Sequence, residues 1–219
     1  MPAYQTAVFD LDGTLLNTLE DLTISTNAAL AAHGMPAHPI EHVRRFVGNG
    51  IALLIHRAVP AGTPADVEAA VLEDFKRHYG AHCEDHTGPY PGIPEMLERL
   101  RAAGIALAVV SNKADFAVQE LVERQFPGTF DAVLGENEAA GISKKPAPAM
   151  VEAALARMGR GRDGMVYVGD SEVDVQTAAN AGCPCLSCTW GFRTRDELTA
   201  AGATTFVDTP EELAEVLLG

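Results

Sequence analysis

Short apolar runs alternate with helical patterns along most of the chain. Six runs have the length and composition of buried strands, and they span residues 6–9, 105–110, 132–134, 165–168, 184–188 and 205–207. Between them, apolar residues recur at helical spacing, as at Phe116, Leu121 and Val122. This alternation predicts an α/β fold: a doubly wound, mostly parallel Rossmann-like sheet with helices on both faces.

One long segment, residues 17–86, interrupts this alternation because it shows only helical patterns. Phe75 and Tyr79, for instance, lie four positions apart in a stripe of apolar residues. We therefore expect an all-helical domain inserted directly after the first strand, with residues 1–16 and 87–219 forming the core. The return to the core is rich in Pro and Gly, which suits a hinge.

The composition supports a packed core and argues against two classes of partner. Hydrophobic residues make up 47% of the 219 residues, which is ample for a buried core. The formal net charge of −14 repels the phosphates of nucleic acids and of anionic membranes, so neither partner is expected. No apolar run approaches the roughly 18 residues that cross a bilayer, and no signal pattern opens the sequence. We therefore expect a cytoplasmic protein.

Two carboxylates follow the first predicted strand. Asp10 and Asp12 come directly after the apolar run, and Gly13 and Thr14 turn the chain away. Because side chains alternate along a strand, Asp10 and Asp12 lean the same way and repel each other. A divalent cation such as Mg²⁺, which prefers oxygen ligands, removes that repulsion. The alternative for this motif alone is a plain strand followed by an Asp-Gly turn.

Further polar groups follow two other predicted strands. Ser111 and Asn112 end one strand, Asp170 and Asp174 follow another, and Lys145 precedes a helical pattern. In an open α/β sheet, ligands bind at the carboxyl ends of the strands. We therefore expect Ser111 and Asn112 to bind phosphoryl oxygens and Asp170 to be a second metal carboxylate. A Ser-Asn pair after a strand is also typical of an ordinary turn.

Four motifs occur in order along the chain: Asp-Leu-Asp-Gly-Thr, Ser-Asn, Lys-Lys-Pro and Gly-Asp-Ser-Glu-Val-Asp. With them the chain resembles the haloacid dehalogenase superfamily of hydrolases, and more narrowly its phosphoglycolate phosphatase-like group. The set is specific for the superfamily and much less specific for the substrate. The resemblance covers essentially the whole chain and implies that the inserted helices form a C1-type cap, which could close over a substrate and exclude water.

The resemblance also implies a Mg²⁺-dependent phosphatase that acts on a small phosphate monoester, with 2-phosphoglycolate expected first. Asp10 would be the nucleophile, and Asp12 the general acid and base that gives only its backbone carbonyl to the metal. Lys145, which stands immediately before proline, would neutralise the charge on Asp10 and the phosphoryl group. From the residues alone, both aspartates could instead be plain metal ligands, and a lysine pair is usually a solvated surface feature.

Three other core residues have supporting roles in this interpretation. Asp174 would orient metal-bound waters or Lys145, although an aspartate in the first turn of a helix is also favoured by the helix dipole. Gly13 would let the backbone approach the phosphate closely, and the hydroxyl of Thr14 would hold the loop after the first strand.

Residues of the inserted segment are candidates for substrate binding. In the resembling phosphatases a Gly-containing loop of this form faces the active site, and here the corresponding residues are Arg45, Gly48, Asn49 and Gly50. The alternative is a plain Gly-Asn-Gly link between two helices. Residues 190–192 also look like a loop that lies near the site in the family.

Other functions stay open at this stage. A sugar-phosphate mutase or a pyrophosphatase of the same superfamily would use the same aspartyl-phosphate step, and a phospho-aspartate switch would use it as a signal. Asp12 counts against a switch because it is placed to hydrolyse the intermediate. We expect a small phosphorylated metabolite as the partner and a monomer or weak homodimer.

Three cysteines, Cys183, Cys185 and Cys188, lie close together in the sequence. A zinc site would need a second cluster to complete its four ligands, and the sequence has none. We therefore expect these thiols to pack in a buried strand.

Overall fold

The chain divides into two compact units in a computed structural model that describes residues 2–219. One unit holds the chain up to Leu16 together with Pro89–Gly219, and the other holds Asn17–Gly88. The strands in chain order are β1 (Thr6–Phe9), β2 (Leu16–Asn17), β3 (Gly88–Pro89), β4 (Ala106–Ala114), β5 (Ala132–Glu136), β6 (Met165–Gly169), β7 (Cys185–Cys188) and β8 (Phe206–Val207).

The helices in chain order are α1 (Leu19–Ala32), α2 (Ile40–Phe46), α3 (Ile51–Ala58), α4 (Ala65–His82), α5 (Ile93–Ala102), α6 (Asp115–Gln125), α7 (Ala149–Met158), α8 (Glu172–Ala181), α9 (Arg195–Ala200) and α10 (Pro210–Leu218). A 3₁₀ turn spans Glu138–Ala140. None of these helices is both long enough and apolar enough to span a membrane.

The first unit is built on a six-stranded sheet with the order β5-β4-β1-β6-β7-β8. Every neighbouring pair in this sheet runs parallel. The central strand β1 is buried along its whole length, which explains why it reads as a continuous apolar run. β2 and β3 pair as a separate two-stranded sheet.

Helices cover both faces of the six-stranded sheet. Phe9 of β1 belongs to an apolar cluster with side chains of α5, α6 and α10, such as Leu97 and Leu213. Val8, its neighbour in sequence, belongs to a second cluster with side chains of α7 and α8, such as Met150. Successive residues of one strand thus enter two cores, which confirms the predicted doubly wound, mostly parallel fold.

The second unit contains α1 to α4, whose apolar residues pack within the unit. Along α4, Val71, Phe75 and Tyr79 are buried at the four-residue spacing of the sequence pattern. The carboxylate of Asp21, near the start of α1, accepts hydrogen bonds from the backbone N–H groups of His86 and Thr87. This carboxylate therefore ties the end of the unit to its first helix.

Two expectations from the sequence were wrong in detail. β4 does not end at Val110 but continues to Ala114, because the chain resumes pairing with β5 after a shift in register. The aromatic ring of Phe116, expected on the buried stripe of its helix, is 76% exposed, and Val118 packs with Leu121 in the core instead.

Candidate active site

The carboxyl ends of three neighbouring strands bring the candidate residues together. β1 pairs with β4 on one side and with β6 on the other, so the ends of the three strands are adjacent. Asp10 follows β1, Asp170 follows β6, and Ser111 and Asn112 lie within the last residues of β4. All four residues are buried. The sheet therefore gathers polar groups from distant parts of the sequence at one edge.

Lys145 lies between two carboxylates at this edge. Its Nζ is 2.7 Å from Oδ1 of Asp10 and 2.8 Å from Oδ1 of Asp174. The side chain is 2% exposed, whereas Lys144 is exposed to solvent. Of the two adjacent lysines, Lys145 is therefore the one that can neutralise charge on Asp10.

Asn112 fixes the backbone of this lysine. Its Oδ1 accepts a hydrogen bond of 2.7 Å from the backbone N–H of Lys145, and its Nδ2 donates one of 3.1 Å to the carbonyl of Lys145. The side-chain amide of Asn112 is thus used to position Lys145. Asn112 was also expected to bind phosphate through its backbone N–H, and this stays a prediction. Phosphate binding by the buried hydroxyl of Ser111 stays a prediction too.

Asp174 is held by donors on both of its carboxylate oxygens. Oδ1 accepts from Lys145 and from the hydroxyl of Tyr167, at 2.8 and 3.1 Å. Oδ2 accepts from the backbone N–H groups of Asp170 and Ser171 and from the hydroxyl of Ser171. Asp174 therefore both caps the start of α8 and orients Lys145, which unites the two alternatives that the sequence left open.

Asp170 is oriented by residues from two other loops. Its Oδ1 accepts a hydrogen bond of 3.1 Å from the hydroxyl of Thr14, and its Oδ2 accepts one of 2.6 Å from the backbone N–H of Phe192. The indole N–H of Trp190 donates to the carbonyl of Thr14 at 3.0 Å. The segment after β7 and the segment after β1 are thus joined around this carboxylate.

Glycines make room for these close contacts. A Cβ atom on Gly191 would lie 2.3 Å from Cβ of Asp170, and one on Gly169 would lie 2.3 Å from Cβ of Asp174. Gly13 has a φ of +90°, and a Cβ there would lie 2.4 Å from Oδ2 of Asp170. The carboxylates are therefore surrounded by backbone that tolerates no side chain.

Burial and mutual repulsion raise the pKa of two of these carboxyl groups. Burial and the neighbouring Asp174 raise the pKa of Asp170 to about 7. Burial and Asp174 also raise the pKa of Asp10 well above its usual value, against the opposing effect of Lys145. Burial alone lowers the pKa of Lys145, but Asp10 and Asp174 outweigh it and keep this side chain cationic. The site thus holds more negative than positive charge, and it favours an additional cation.

Asp10, Asp170 and Asp174 offer oxygens that lie within 4.8 Å of one another, so they form a candidate site for a divalent cation. Each oxygen of Asp174 accepts two or three hydrogen bonds from the protein, whereas each oxygen of Asp170 accepts one, so Asp10 and Asp170 are the carboxylates with more capacity for a metal. The side chain of Asp12 is not part of this group. Its expected contribution through the backbone carbonyl stays a prediction.

Lys113 is a residue of this region to which the sequence analysis gave no role. Its Nζ lies 3.4 Å from Oδ1 of Asp12, and its side chain is 8% exposed. The sequence feature that could have identified Lys113 is its position directly after Ser111 and Asn112, at the end of an apolar run. A lysine is usually exposed, so its sequence position alone did not distinguish it.

The candidate substrate residues of the second unit lie in and after α2. Arg45 is an exposed residue of that helix, and Gly48, Asn49 and Gly50 lead into α3. Gly48 and Gly50 have positive φ angles of 120° and 88°. Their part in substrate binding stays a prediction.

The cysteines are free thiols that pack against the sheet. Cys183 and Cys185 contact the apolar cluster beneath α7 and α8, and Cys188 belongs to the cluster on the opposite face. Their placement on two faces agrees with the packing role expected of them.

Comparisons with known proteins give consistent results over the whole chain. The family model of haloacid dehalogenase-like hydrolases matches residues 7–188. The chain is 34% identical to the phosphoglycolate phosphatase of Vibrio parahaemolyticus over 95% of this chain and 94% of that protein. It is also 34% identical to the phosphoglycolate phosphatase of Caulobacter vibrioides, over 97% of this chain and 92% of that one.

The fold is likewise similar to that of a solved structure. A crystal structure from Lactobacillus delbrueckii subsp. bulgaricus, of a protein provisionally described as a phosphoglycolate phosphatase, matches with a TM-score of 0.94. The two sequences are 40% identical, and the match covers 100% of each chain. The similarity therefore extends through both units.

Proposed function

The chain belongs to the haloacid dehalogenase-like hydrolases and is a phosphatase, and we propose that it hydrolyses 2-phosphoglycolate to glycolate and phosphate. The observation that carries the proposal is the buried Asp10 carboxylate at the end of β1, in contact with the ammonium group of Lys145. The names of the relatives support the choice of substrate.

Asp10 is the nucleophile in this proposal. Its Oδ1 accepts hydrogen bonds from the backbone N–H of Leu11 and from Lys145, both at 2.7 Å, which fixes the carboxylate and leaves Oδ2 for attack. Oδ2 forms a bond to phosphorus while the bond from phosphorus to the glycolate oxygen breaks. The product is an aspartyl-phosphate, which divides one difficult displacement into two easier ones.

Asp12 moves the proton in both steps. It donates a proton to the departing glycolate oxygen, and the resulting carboxylate then accepts a proton from the water that attacks phosphorus. That second attack breaks the bond between Asp10 and phosphorus and releases inorganic phosphate. Lys145 stays charged throughout and neutralises the negative charge of both Asp10 and the phosphoryl oxygens.

Mg²⁺ is the cation that we propose for the site. Asp10 and Asp170 would hold it through carboxylate oxygens and Asp12 through its backbone carbonyl, a hard-oxygen donor set of the kind that Mg²⁺ prefers. When bound, the ion neutralises charge on the phosphoryl group and so assists attack by an anionic nucleophile. The raised pKa values of Asp10 and Asp170 agree with a site that favours a further cation.

Phosphate release from a panel of esters tests the proposal. The panel contains 2-phosphoglycolate, pyrophosphate, hexose phosphates and nucleotides, each assayed with Mg²⁺ and with a chelator. We expect release that requires the metal and is fastest with 2-phosphoglycolate. A higher kcat/KM with another ester would overturn the choice of substrate, and unchanged release in chelator would overturn the metal.

The nucleophile is tested separately by the variant Asp10→Asn. We expect it to keep the fold, since the amide has nearly the same shape, and to lose turnover together with any acid-stable trapping of phosphate on the chain. Retained turnover in Asp10→Asn would contradict the covalent step. Phosphate that accumulates on the wild-type chain without release would indicate a mutase or a switch instead.

A further inference from the structure

Tyr167 is a fully buried residue of β6 to which the proposed reaction gives no part. Its hydroxyl donates a hydrogen bond of 3.1 Å to Oδ1 of Asp174. The same oxygen accepts a hydrogen bond of 2.8 Å from Nζ of Lys145. A phenol donates without carrying charge. The oxygen that holds Lys145 is therefore shared between a charged donor and a neutral one.

The ring of Tyr167 also lies beside the ammonium group of Lys145. Nζ is 5.9 Å from the centroid of the ring, at the outer limit of the distance over which an aromatic face attracts a cation. The ring itself is held in the apolar cluster that Met150 and other side chains of α7 and α8 form on this face of the sheet. Tyr167 thus reaches Lys145 mainly through the carboxylate of Asp174 and only weakly through its ring.

Lys145 divides its hydrogen bonds between two carboxylates, at 2.7 Å from Asp10 and 2.8 Å from Asp174. In a buried network, the pull of each carboxylate on the ammonium group depends on how far other donors already satisfy its charge. Tyr167 satisfies part of the charge on the oxygen that faces Lys145. Without this hydroxyl, Asp174 would attract Lys145 more strongly and draw it away from Asp10.

We infer that Tyr167 is a positioning residue, which keeps Lys145 directed at Asp10 and the phosphoryl group by giving Asp174 a second, neutral donor. The inference rests on the proposed function, in which Asp10 attacks phosphorus while Lys145 neutralises the charge. Tyr167 is fully buried and presents no surface to a substrate. Its effect therefore belongs to the rate of the reaction and not to the binding of the ester.

The variant Tyr167→Phe tests the inference, because it removes the hydroxyl and keeps the ring. It is assayed with the ester that the wild type hydrolyses with the highest kcat/KM. We expect kcat to fall on the order of 10-fold, the usual effect of losing a hydrogen bond to a charged group. KM and the Mg²⁺ concentration for half-maximal activity should stay within about twofold of wild type, since neither the substrate contacts nor Asp170 lose a partner.

Tyr4→Phe is the matched control, because it removes a phenol hydroxyl from a half-buried residue that packs on the other apolar cluster of the same unit. We expect it to leave kcat unchanged.

A double-mutant cycle shows whether Tyr167 acts through Asp174. In Asp174→Asn the carboxylate charge is gone, so adding Tyr167→Phe should lower kcat no further. A purely structural role would instead lower kcat by the same factor in both backgrounds. Thermal melts of all variants check folding. If Asp174→Asn does not fold, the separate responses of kcat, KM and the Mg²⁺ requirement in Tyr167→Phe decide the test.

The outcomes separate this inference from the proposed function. If Tyr167→Phe keeps the kcat of the wild type, or loses it equally in both backgrounds, the inference is overturned while the proposed function stands. A change in KM or in the Mg²⁺ requirement with kcat unchanged overturns it as well. If the wild type releases phosphate from no ester, both are overturned. If the best ester is not 2-phosphoglycolate and Tyr167→Phe lowers kcat as expected, the inference stands and the proposed substrate does not.

Discussion

A single ammonium group lies between two buried carboxylates in the core unit. Lys145 contacts Asp10 and Asp174, and all three side chains are almost fully removed from solvent. Such a group of charges is tolerable only while its members remain together, since each one alone would be a buried, uncompensated charge. The arrangement therefore links the stability of the core to the residues that we propose act on the phosphoryl group.

Substitution of Lys145 should destabilise the protein as well as inactivate it. In Lys145→Met, Asp10 and Asp174 lose their cation, and we expect a loss of about 3–5 kcal/mol in the free energy of unfolding in the presence of a chelator. Chemical denaturation measures this loss. The exposed neighbour provides the control, because Lys144→Met should change the free energy by no more than about 0.5 kcal/mol. Equal losses in the two variants would show that the buried charge pairs contribute nothing specific.

Thr14 orients Asp170, one of the two carboxylates of the proposed metal site. Its hydroxyl, which is fully buried, donates to Oδ1 of Asp170, so Thr14→Val removes one orienting hydrogen bond with little change in volume. We expect the Mg²⁺ concentration for half-maximal activity to rise about 10- to 100-fold, with kcat at saturating Mg²⁺ close to wild type. Thr26→Val, which removes a buried hydroxyl bonded only to its own helix, should leave the Mg²⁺ dependence unchanged.

At the scale of elements, the loops after β1, β6 and β7 form one structure around Asp170. Thr14, Gly191 and Phe192 come from two different loops, yet all contact the same carboxylate or its immediate surroundings. The glycines allow this because backbone from one loop lies where a Cβ would otherwise stand. The position of Asp170 therefore depends on all three strand ends being in register.

A methyl group on one of these glycines should disturb the site. In Gly191→Ala the new Cβ would lie 2.3 Å from Cβ of Asp170 and 2.5 Å from the carbonyl of Gly13, so backbone must move. We expect a lower melting temperature and at least a tenfold loss of kcat/KM, since small displacements at an active site are costly. Gly161→Ala, whose Cβ meets nothing within 4 Å, should behave like wild type. Normal activity in Gly191→Ala would contradict this tight packing around Asp170.

At the scale of the whole molecule, the sheet was predictable because its central strands are buried on both faces. Residues 6–9 and 165–168 therefore read as short continuous apolar runs, and polar residues directly after them mark the strand ends. These ends were expected at one edge of the sheet, but the proximity of Asp10 and Asp170 also depends on the pairing of β1 with β6, which the runs do not show. Phe116, in contrast, was expected to be buried and is exposed, because helical spacing does not by itself show which of two helix faces is buried.

The contacts that fix the site in detail were not predictable in the same way. Two hydrogen bonds join residues far apart in the chain: the backbone N–H of Phe192 donates to Asp170, and the indole N–H of Trp190 donates to the carbonyl of Thr14. No local sequence pattern predicts such contacts. The burial of Lys113 was not predictable for a different reason, because β4 continues past its apolar run and buries a residue type that is normally exposed.

The alkylation rates of the three thiols near β7 measure how well this part of the core unit excludes solvent. Burial raises the pKa of Cys183 to about 11 and that of Cys185 to about 12, and Cys188 is fully buried. Only the thiolate reacts with alkylating reagents, so at pH 8 Cys183 should react about a hundredfold, and Cys185 about a thousandfold, more slowly than an ordinary exposed thiol. Below pH 11 the labelling rate of Cys183 should rise about tenfold for each step of one in pH, because the thiolate fraction rises in that proportion.

Alkylation followed by mass spectrometry of the peptides measures each site separately. In the native protein we expect slow labelling of all three thiols, and in concentrated guanidinium we expect rapid labelling of the same peptides. A labelling rate of Cys183 that levels off above about pH 8.5 would instead show reaction through an open form in which the thiol has its ordinary pKa, and the rate would then report opening of β7 and its surroundings. Rapid native labelling of Cys188 would show that this edge of the sheet opens without global unfolding, and it would contradict a rigid support for the loop that holds Asp170.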